Sequence, residues 1–138
     1  RQLVDNPSMI PAAVEELLRL TSPVQNLART TTRDVDLHGR TIPEGSKVLL
    51  SYGAANRDER EFGDDAESLD VDRNPARILT FSYGAHHCLG AAAARLQGRV
   101  ALEELLARFP DYVVDVDGMA YATGNYVRRP LKLSFRPA

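Results

Sequence analysis

The stretch FSYGAHHCLG, residues 81–90, holds the single cysteine of the chain and two of its three histidines. A sulfur can serve a loop in three ways. It ligates soft metals and iron as a thiolate, attacks electrophiles as a nucleophile, or packs as a small neutral hydrophobe. Gly84 and Gly90 flank the group and favour a bound ligand, because residues without Cβ permit unusual φ and let a large flat molecule approach the backbone. Structural zinc wants four ligands in well-separated pairs, whereas His86, His87 and Cys88 are adjacent and only His38 remains. A Cys-His nucleophile needs a base in line with the sulfur, which sequence neighbours rarely provide. Inert thiol, metal ligand and nucleophile all stand at this point.

The loop must be positioned by the elements around it. Leu89 to Phe109 carries the longest helical signal, with Leu96, Val100, Leu105 and Phe109 among its apolar positions and Pro110 as its stop. Cys88 thereby falls at a helix start, where unpaired N–H groups and the positive end of the helix dipole favour a sulfur anion. Pro11 to Leu20 is predicted as a helix with Ala13, Val14, Leu17 and Leu18 on one stripe, ended by Ser22-Pro23. Glu16 and Arg19 share a face of that helix and can pair.

From Arg33 the period changes to two. Val35 and Leu37 alternate with acidic neighbours, His38-Gly39 and Pro43-Glu44-Gly45 read as turns, and Lys47 to Tyr52 reads as a more buried strand; together they predict one small antiparallel sheet. Asn56 to Pro75 is dense in charge and turn formers, so it is predicted as a long ordered meander anchored by Phe62, Leu69 and Val71. The tail alternates at Tyr112, Val114 and Val116, turns at Gly118, and alternates again at Leu131, Leu133 and Phe135. The fold class read from this order is α+β.

With 138 residues and 43% hydrophobic content, the chain has single-domain size and can bury a modest core. Its 17 basic and 19 acidic residues leave a formal charge of −2 without any basic cluster, which excludes nucleic acid as a partner. No apolar run reaches membrane-spanning length and no signal-peptide pattern opens the chain. One cysteine cannot form an internal disulfide, which suits a cytoplasmic protein. The chain opens without Met inside a helical pattern, so it is expected to be part of a longer polypeptide.

The full spacing Phe81, Gly84, His86, Cys88, Gly90 resembles the cysteine-ligand loop of the cytochrome P450 family, F-x-x-G-x-H-x-C-x-G. Glu16-Leu17-Leu18-Arg19 is similar to that family's E-x-x-R helix motif, and Leu69-Asp70-Val71-Asp72-Arg73 resembles the bacterial F-D-x-x-R segment with Leu69 in place of Phe. The resemblance implies that residues 1–138 are the C-terminal portion of a mainly helical P450 domain with small antiparallel sheets. It implies haem b, iron protoporphyrin IX, with the Cys88 thiolate as axial ligand of the iron. Phe81 would shield the sulfur, backbone N–H groups after it, with Leu89 and Gly90, would line the ligand, and His86 and Arg29 would meet haem propionates. Glu16, Arg19 and Arg73 would form a buried network beneath the loop. Val24, Gln25, Asn26 and Leu27, with the Gly124 to Val127 turn that includes Tyr126, would face the substrate.

By the same resemblance the complete enzyme inserts one atom of O2 into a small hydrophobic organic substrate. Electrons would come from a ferredoxin-type or other electron-transfer partner docking near Arg95 and Arg99. No catalytic residue beyond the haem ligand is expected in this stretch, since the family's acid and alcohol pair has no counterpart. Ala93 and Gln97 depart from the usual Leu and Glu, and Ser82 from a frequent Gly; Gly84 is kept. Two other readings remain: a haem-binding or sensing module without monooxygenation, and an inactive truncated fragment.

Overall fold

Chain order runs α1 (Gln2–Asp5), a 3-10 turn at Pro7–Met9, α2 (Ile10–Thr21), β1 (Asn26–Thr30), β2 (Val35–Leu37), β3 (Arg40–Ile42), β4 (Lys47–Ser51), α3 (Tyr52–Ala55) and α4 (Glu59–Phe62). A second 3-10 turn at Gly84–His86 precedes α5 (Ala91–Arg108), β5 (Tyr112–Tyr121) and β6 (Pro130–Pro137). The structure is a computed structural model that describes residues 1–124 and 126–138. The architecture is α+β, with a pair of packed helices and three two-stranded antiparallel sheets, β1–β4, β2–β3 and β5–β6. Among the described residues, no helix is long and apolar enough to cross a membrane.

Helix α2 starts with Pro11 in its first turn, where the missing N–H removes nothing, and ends where Ser22 turns left-handed at φ 38° with its N–H bonded to the Leu18 carbonyl at 3.0 Å. Its inward face differs from the predicted leucine stripe. Ile10, Ala13 and Val14 are buried, but so are Glu16 and Arg19, both with no exposure at all, while Leu17 and Leu18 are only half-buried. The charged pair sits deeper than the leucines because the meander wraps it.

Helix α5 begins at Ala91 rather than Leu89, with Gly90 as its N-cap, so Cys88 precedes the helix instead of opening it. Of its expected apolar positions, Leu105 and Phe109 are half-buried, the latter against Phe135, while Leu96 and Val100 are exposed. Contact with α2 comes through Gly98, where a Cβ would lie 3.3 Å from Val14 Cγ1. That is tighter than ordinary van der Waals contact, so the absent side chain sets how closely the helices approach.

The predicted single sheet is two. β2 closes on β3 through His38 and Gly39, both at positive φ (49° and 74°), the backbone of a tight hairpin turn matched to strand twist. β4 pairs instead with β1, Asn26 opposite Ser51 and Arg29 opposite Val48. Gly118 does not end a strand: β5 runs through it, its N–H bonded to Asp115 Oδ1 at 2.9 Å, and the register shift between Asp115 and Ala120 absorbs the irregularity. The chain reverses later, where the Ala122 N–H bonds to the Arg129 carbonyl at 3.0 Å.

Gly98→Val is expected to overpack the α2–α5 contact and lower stability by about 1–3 kcal/mol in urea unfolding. A variant as stable as the parent would contradict the close approach assigned to Gly98.

Candidate functional site

A carboxylate and a guanidinium with no solvent must satisfy each other and their remaining polar atoms. Glu16 and Arg19 do so in full. Arg19 Nε and Nη2 each donate to a Glu16 oxygen at 2.7 Å, a two-point pairing, and its Nη1 donates to the carbonyls of Asn56 (2.6 Å) and Ala66 (2.7 Å). Glu16 Oε1 also accepts from the Asp70 N–H at 3.2 Å and from Arg73 Nε at 3.1 Å. Arg73 continues outward to the Phe62 carbonyl (2.6 Å) and, at 2.9 Å, to Asp65 Oδ2. Two carboxylates thus face two guanidiniums, and the meander is threaded through them by its own backbone. Ala66, buried completely, anchors it where Leu69, which is exposed, was predicted to.

Burial pushes the Glu16 carboxyl up, but hydrogen bonds from Arg19, the Asp70 N–H and Arg73 outweigh it and hold the group below its ordinary value. Arg73 also holds the Asp65 carboxyl low.

A second, neutral cluster joins this network to the cysteine loop. Asn56 Nδ2 donates to Ser22 Oγ (2.8 Å) and Thr80 Oγ1 (3.0 Å), and its Oδ1 accepts from the Leu79 N–H at 2.7 Å. Thr80 Oγ1 donates to the Leu18 carbonyl at 2.7 Å, so the residue just before Phe81 is tied to the end of α2. In the sequence Asn56-Arg57-Asp58 matches the bacterial form of the family pattern, which ordinary turn chemistry also explains, and Thr80 carries no signal; neither points to this bridging role.

The loop itself turns twice through the left-handed region, at Ser82 (φ 61°) and Gly84 (φ 65°). Ser82 stands where glycine is the unstrained choice, and its hydroxyl meets the buried Tyr52 hydroxyl at 3.0 Å. Cys88 is held from both sides: its N–H donates to the Phe81 carbonyl at 2.8 Å and its own carbonyl accepts from the Ala91 N–H at 3.2 Å. The residue is exposed, and it lines an apolar hollow of about 380 Å3 with Phe81, Leu18, Val24, Leu27 and Ala94. Leu89, next to the sulfur, is fully exposed at 103%. Phe81 is buried, with the Arg95 guanidinium 4.6 Å over its ring centroid; Arg95 Nε and Nη2 reach Glu15 at 2.5 and 3.0 Å.

The other predicted site residues fall as follows. His86 is exposed at the end of the 3-10 turn, and Gly90 leaves the space beside the sulfur open, since a Cβ there would lie 3.8 Å from Cys88 Sγ. Val24 and Leu27 line the hollow. Gln25 is not among the residues that line it: its side-chain amide donates to the Thr21 and Ser22 carbonyls and lies against Gly53. Asn26 and Arg29 stand on β1, with Arg29 Nη1 donating to the Ala28 carbonyl at 2.9 Å. The two stretches predicted to face substrate do meet: Val24 bridges Val127, and the Gln25 N–H donates to the Tyr126 carbonyl at 2.7 Å. Asn125, within that turn, lies outside the described residues. Arg95 is not a free docking charge, since Glu15 and Phe81 engage it. Arg99, predicted beside it, lies 3.5 Å from Glu103.

The donor set suits one kind of guest. Among the described residues no group of three or more His, Cys, Asp or Glu side chains forms a metal-binding cluster. A single exposed sulfur that lines an apolar hollow together with an aromatic side chain fits iron held by one axial thiolate in a flat organic macrocycle.

The comparisons agree with that chemistry. Residues 3–117 match the family described as Cytochrome P450. Cytochrome P450 130 of Mycobacterium tuberculosis (strain CDC 1551 / Oshkosh) is 66% identical over 136 residues, covering 99% of this chain and 34% of that protein. Mycinamicin IV hydroxylase/epoxidase of Micromonospora griseorubida is 46% identical over 137 residues, covering 96% and 34%. The solved structure of the tirandamycin C-bound P450 monooxygenase TamI superposes with a TM-score of 0.92 at 38% identity, covering 99% of this chain and 35% of that one. The chain belongs to the cytochrome P450 family, and it spans about a third, 34%, of the length of the first relatives it matches.

Because the Glu16 carboxyl is held low in the fold, the unfolded chain binds the proton more readily, and the stabilisation is present above the ordinary value of 4.5 and lost as pH falls below it. Glu16→Gln is therefore expected to cost about 3 kcal/mol or more near pH 7, with the gap to the parent narrowing as urea midpoints are followed into acid below the ordinary carboxylate value. A gap that does not change with pH would contradict the charge network.

Proposed function

We propose that residues 1–138 are the C-terminal, thiolate-bearing portion of a P450 monooxygenase domain and that Cys88 is the axial ligand of haem b. The observation that carries the reading is the presentation of the sulfur. Cys88 is exposed, fixed through its N–H to the Phe81 carbonyl, and opens on the apolar hollow. A lone thiol with no ligand to hold would be expected to pack inside, as free cysteines usually do.

Haem bound there supplies oxygen activation, with one atom of O2 passing to a small hydrophobic organic substrate and electrons arriving from a ferredoxin-type or other electron-transfer protein. The chain's own residues hold and shelter that group. The Cys88 sulfur would be the ligand, and the loop's hydrogen bonds fix the backbone that carries it. Gly84 supplies the left-handed turn, with no heavy atom within 4 Å of where its Cβ would be, so its role is conformational rather than steric. Leu89 and Gly90 offer an exposed apolar and a side-chain-free surface against the macrocycle. His86 and Arg29 serve the propionates, a planar guanidinium being suited to a carboxylate. Val24 and Leu27 give the substrate an apolar wall, and Tyr126 stands beside them through its carbonyl contact with Gln25. A cytoplasmic location is part of the same proposal.

The chain incubated with haem, reduced and exposed to carbon monoxide is expected to give the red-shifted Soret band of thiolate ligation, and Cys88→Ser to lose it. A nitrogen-type band from the parent, or an unchanged band in Cys88→Ser, would contradict the assignment.

A further inference from the structure

Glu15 and Glu16 are neighbours on α2 but look in different directions. Glu16 enters the meander network, whereas Glu15 reaches across to α5, where its two oxygens take Arg95 Nε at 2.5 Å and Nη2 at 3.0 Å. The same guanidinium lies 4.6 Å over the Phe81 ring, and the Phe81 carbonyl accepts the Cys88 N–H at 2.8 Å. Glu15, Arg95, Phe81 and Cys88 thus form a continuous chain of contacts from α2 to the backbone of the cysteine, through the ring of Phe81 on one side and its carbonyl on the other. Nothing in that chain needs Arg95 to touch the sulfur.

We infer that Glu15 and Arg95 are a positioning pair that fixes Phe81, and through its carbonyl the Cys88 backbone, and balances the charge sensed by a group bound at the sulfur. The second half of this inference rests on the haem-thiolate reading above; the first does not. Arginine is suited to both tasks at once, because its planar fork meets a carboxylate edge-on while its face stacks on an aromatic ring; a lysine ammonium can do only one of these at a time. Both side chains are partly exposed, 38% for Arg95 and 27% for Glu15, so solvent screens the pair without abolishing its field. As a pair the two charges cancel. Removing one unmasks the other, and the two single variants must then disturb a bound redox group in opposite senses.

The first measurement is amide hydrogen exchange on the chain without haem. Arg95→Leu is expected to exchange several-fold faster at the Cys88 N–H while the β1–β4 amides keep the parent rate, and Arg95→Lys to restore protection only in part. No change at Cys88, or equal acceleration throughout the chain, would overturn the positioning role. The second is the reduction potential of the haem-loaded forms. Loss of the cation in Arg95→Leu should lower the potential, because a nearby positive charge favours the reduced iron, and loss of the anion in Glu15→Gln should raise it. Shifts of the same sign, or none, would overturn the charge-balancing role. Failure of the parent chain to take up haem would count against the haem-thiolate reading, with the exchange result still deciding the positioning role. Should Arg95→Leu not fold, Glu15→Gln, which removes the carboxylate that holds the guanidinium over the ring, is expected to exchange faster at the Cys88 N–H and to raise the potential, and parent values for both would overturn the two roles.

Discussion

A carboxylate removed from water cannot stay charged unless the protein replaces what water gave it, and the Glu16 site does this with two guanidiniums and a backbone N–H. Everything near the cysteine loop depends on that replacement. Arg19 is fully buried, and the carbonyls that complete its coordination, Asn56, Ala66 and Ser68, belong to a segment with almost no apolar content of its own. Such a segment cannot be held by hydrophobic burial. It is held because the buried cation requires its carbonyls, so the order of the meander and the ionisation of Glu16 are one physical fact.

Helix α2 carries that requirement to the rest of the site. Glu16 and Arg19 fix the meander on one side, Glu15 grips α5 on another, and the left-handed end at Ser22 meets Asn56 and Thr80. Thr80 then delivers the chain into Phe81 and the turn that presents Cys88. The sulfur is therefore exposed but not loose, which is what a ligand needs if binding is not to be opposed by the entropy of ordering the loop. Leu89 and Tyr83 stand exposed beside it, together with His86 and His87.

How much of this could be read from residue order depends on the range of the interaction. The loop was legible because its constraints are local: a sulfur, a backbone turn that wants glycine, and fixed spacings between them. Glu16 and Arg19 were legible as a pair for the same reason, being one helical turn apart. Their depth was not, since the partners that bury them lie far along the chain, and hydrophobicity pointed to Leu17 and Leu18 instead. The bridging roles of Asn56 and Thr80 were not legible, because a single amide or hydroxyl joining distant segments has no period. Strand pairing failed in the same way: alternation marked β4 as a strand but could not say that β1, rather than β2, lies beside it. Gly118 misled because glycine marks bulges as well as turns, and the backbone of β5 chose the bulge.

The central claim is that this scaffold exists to hold iron by one sulfur. X-ray absorption at the iron edge of the haem-loaded chain tests it most directly, because the technique reports which elements surround the metal whatever the protein's activity. The account predicts one sulfur among the nearest neighbours of the iron, absent in Cys88→Ser. A shell of nitrogen and oxygen alone in the parent chain would contradict it.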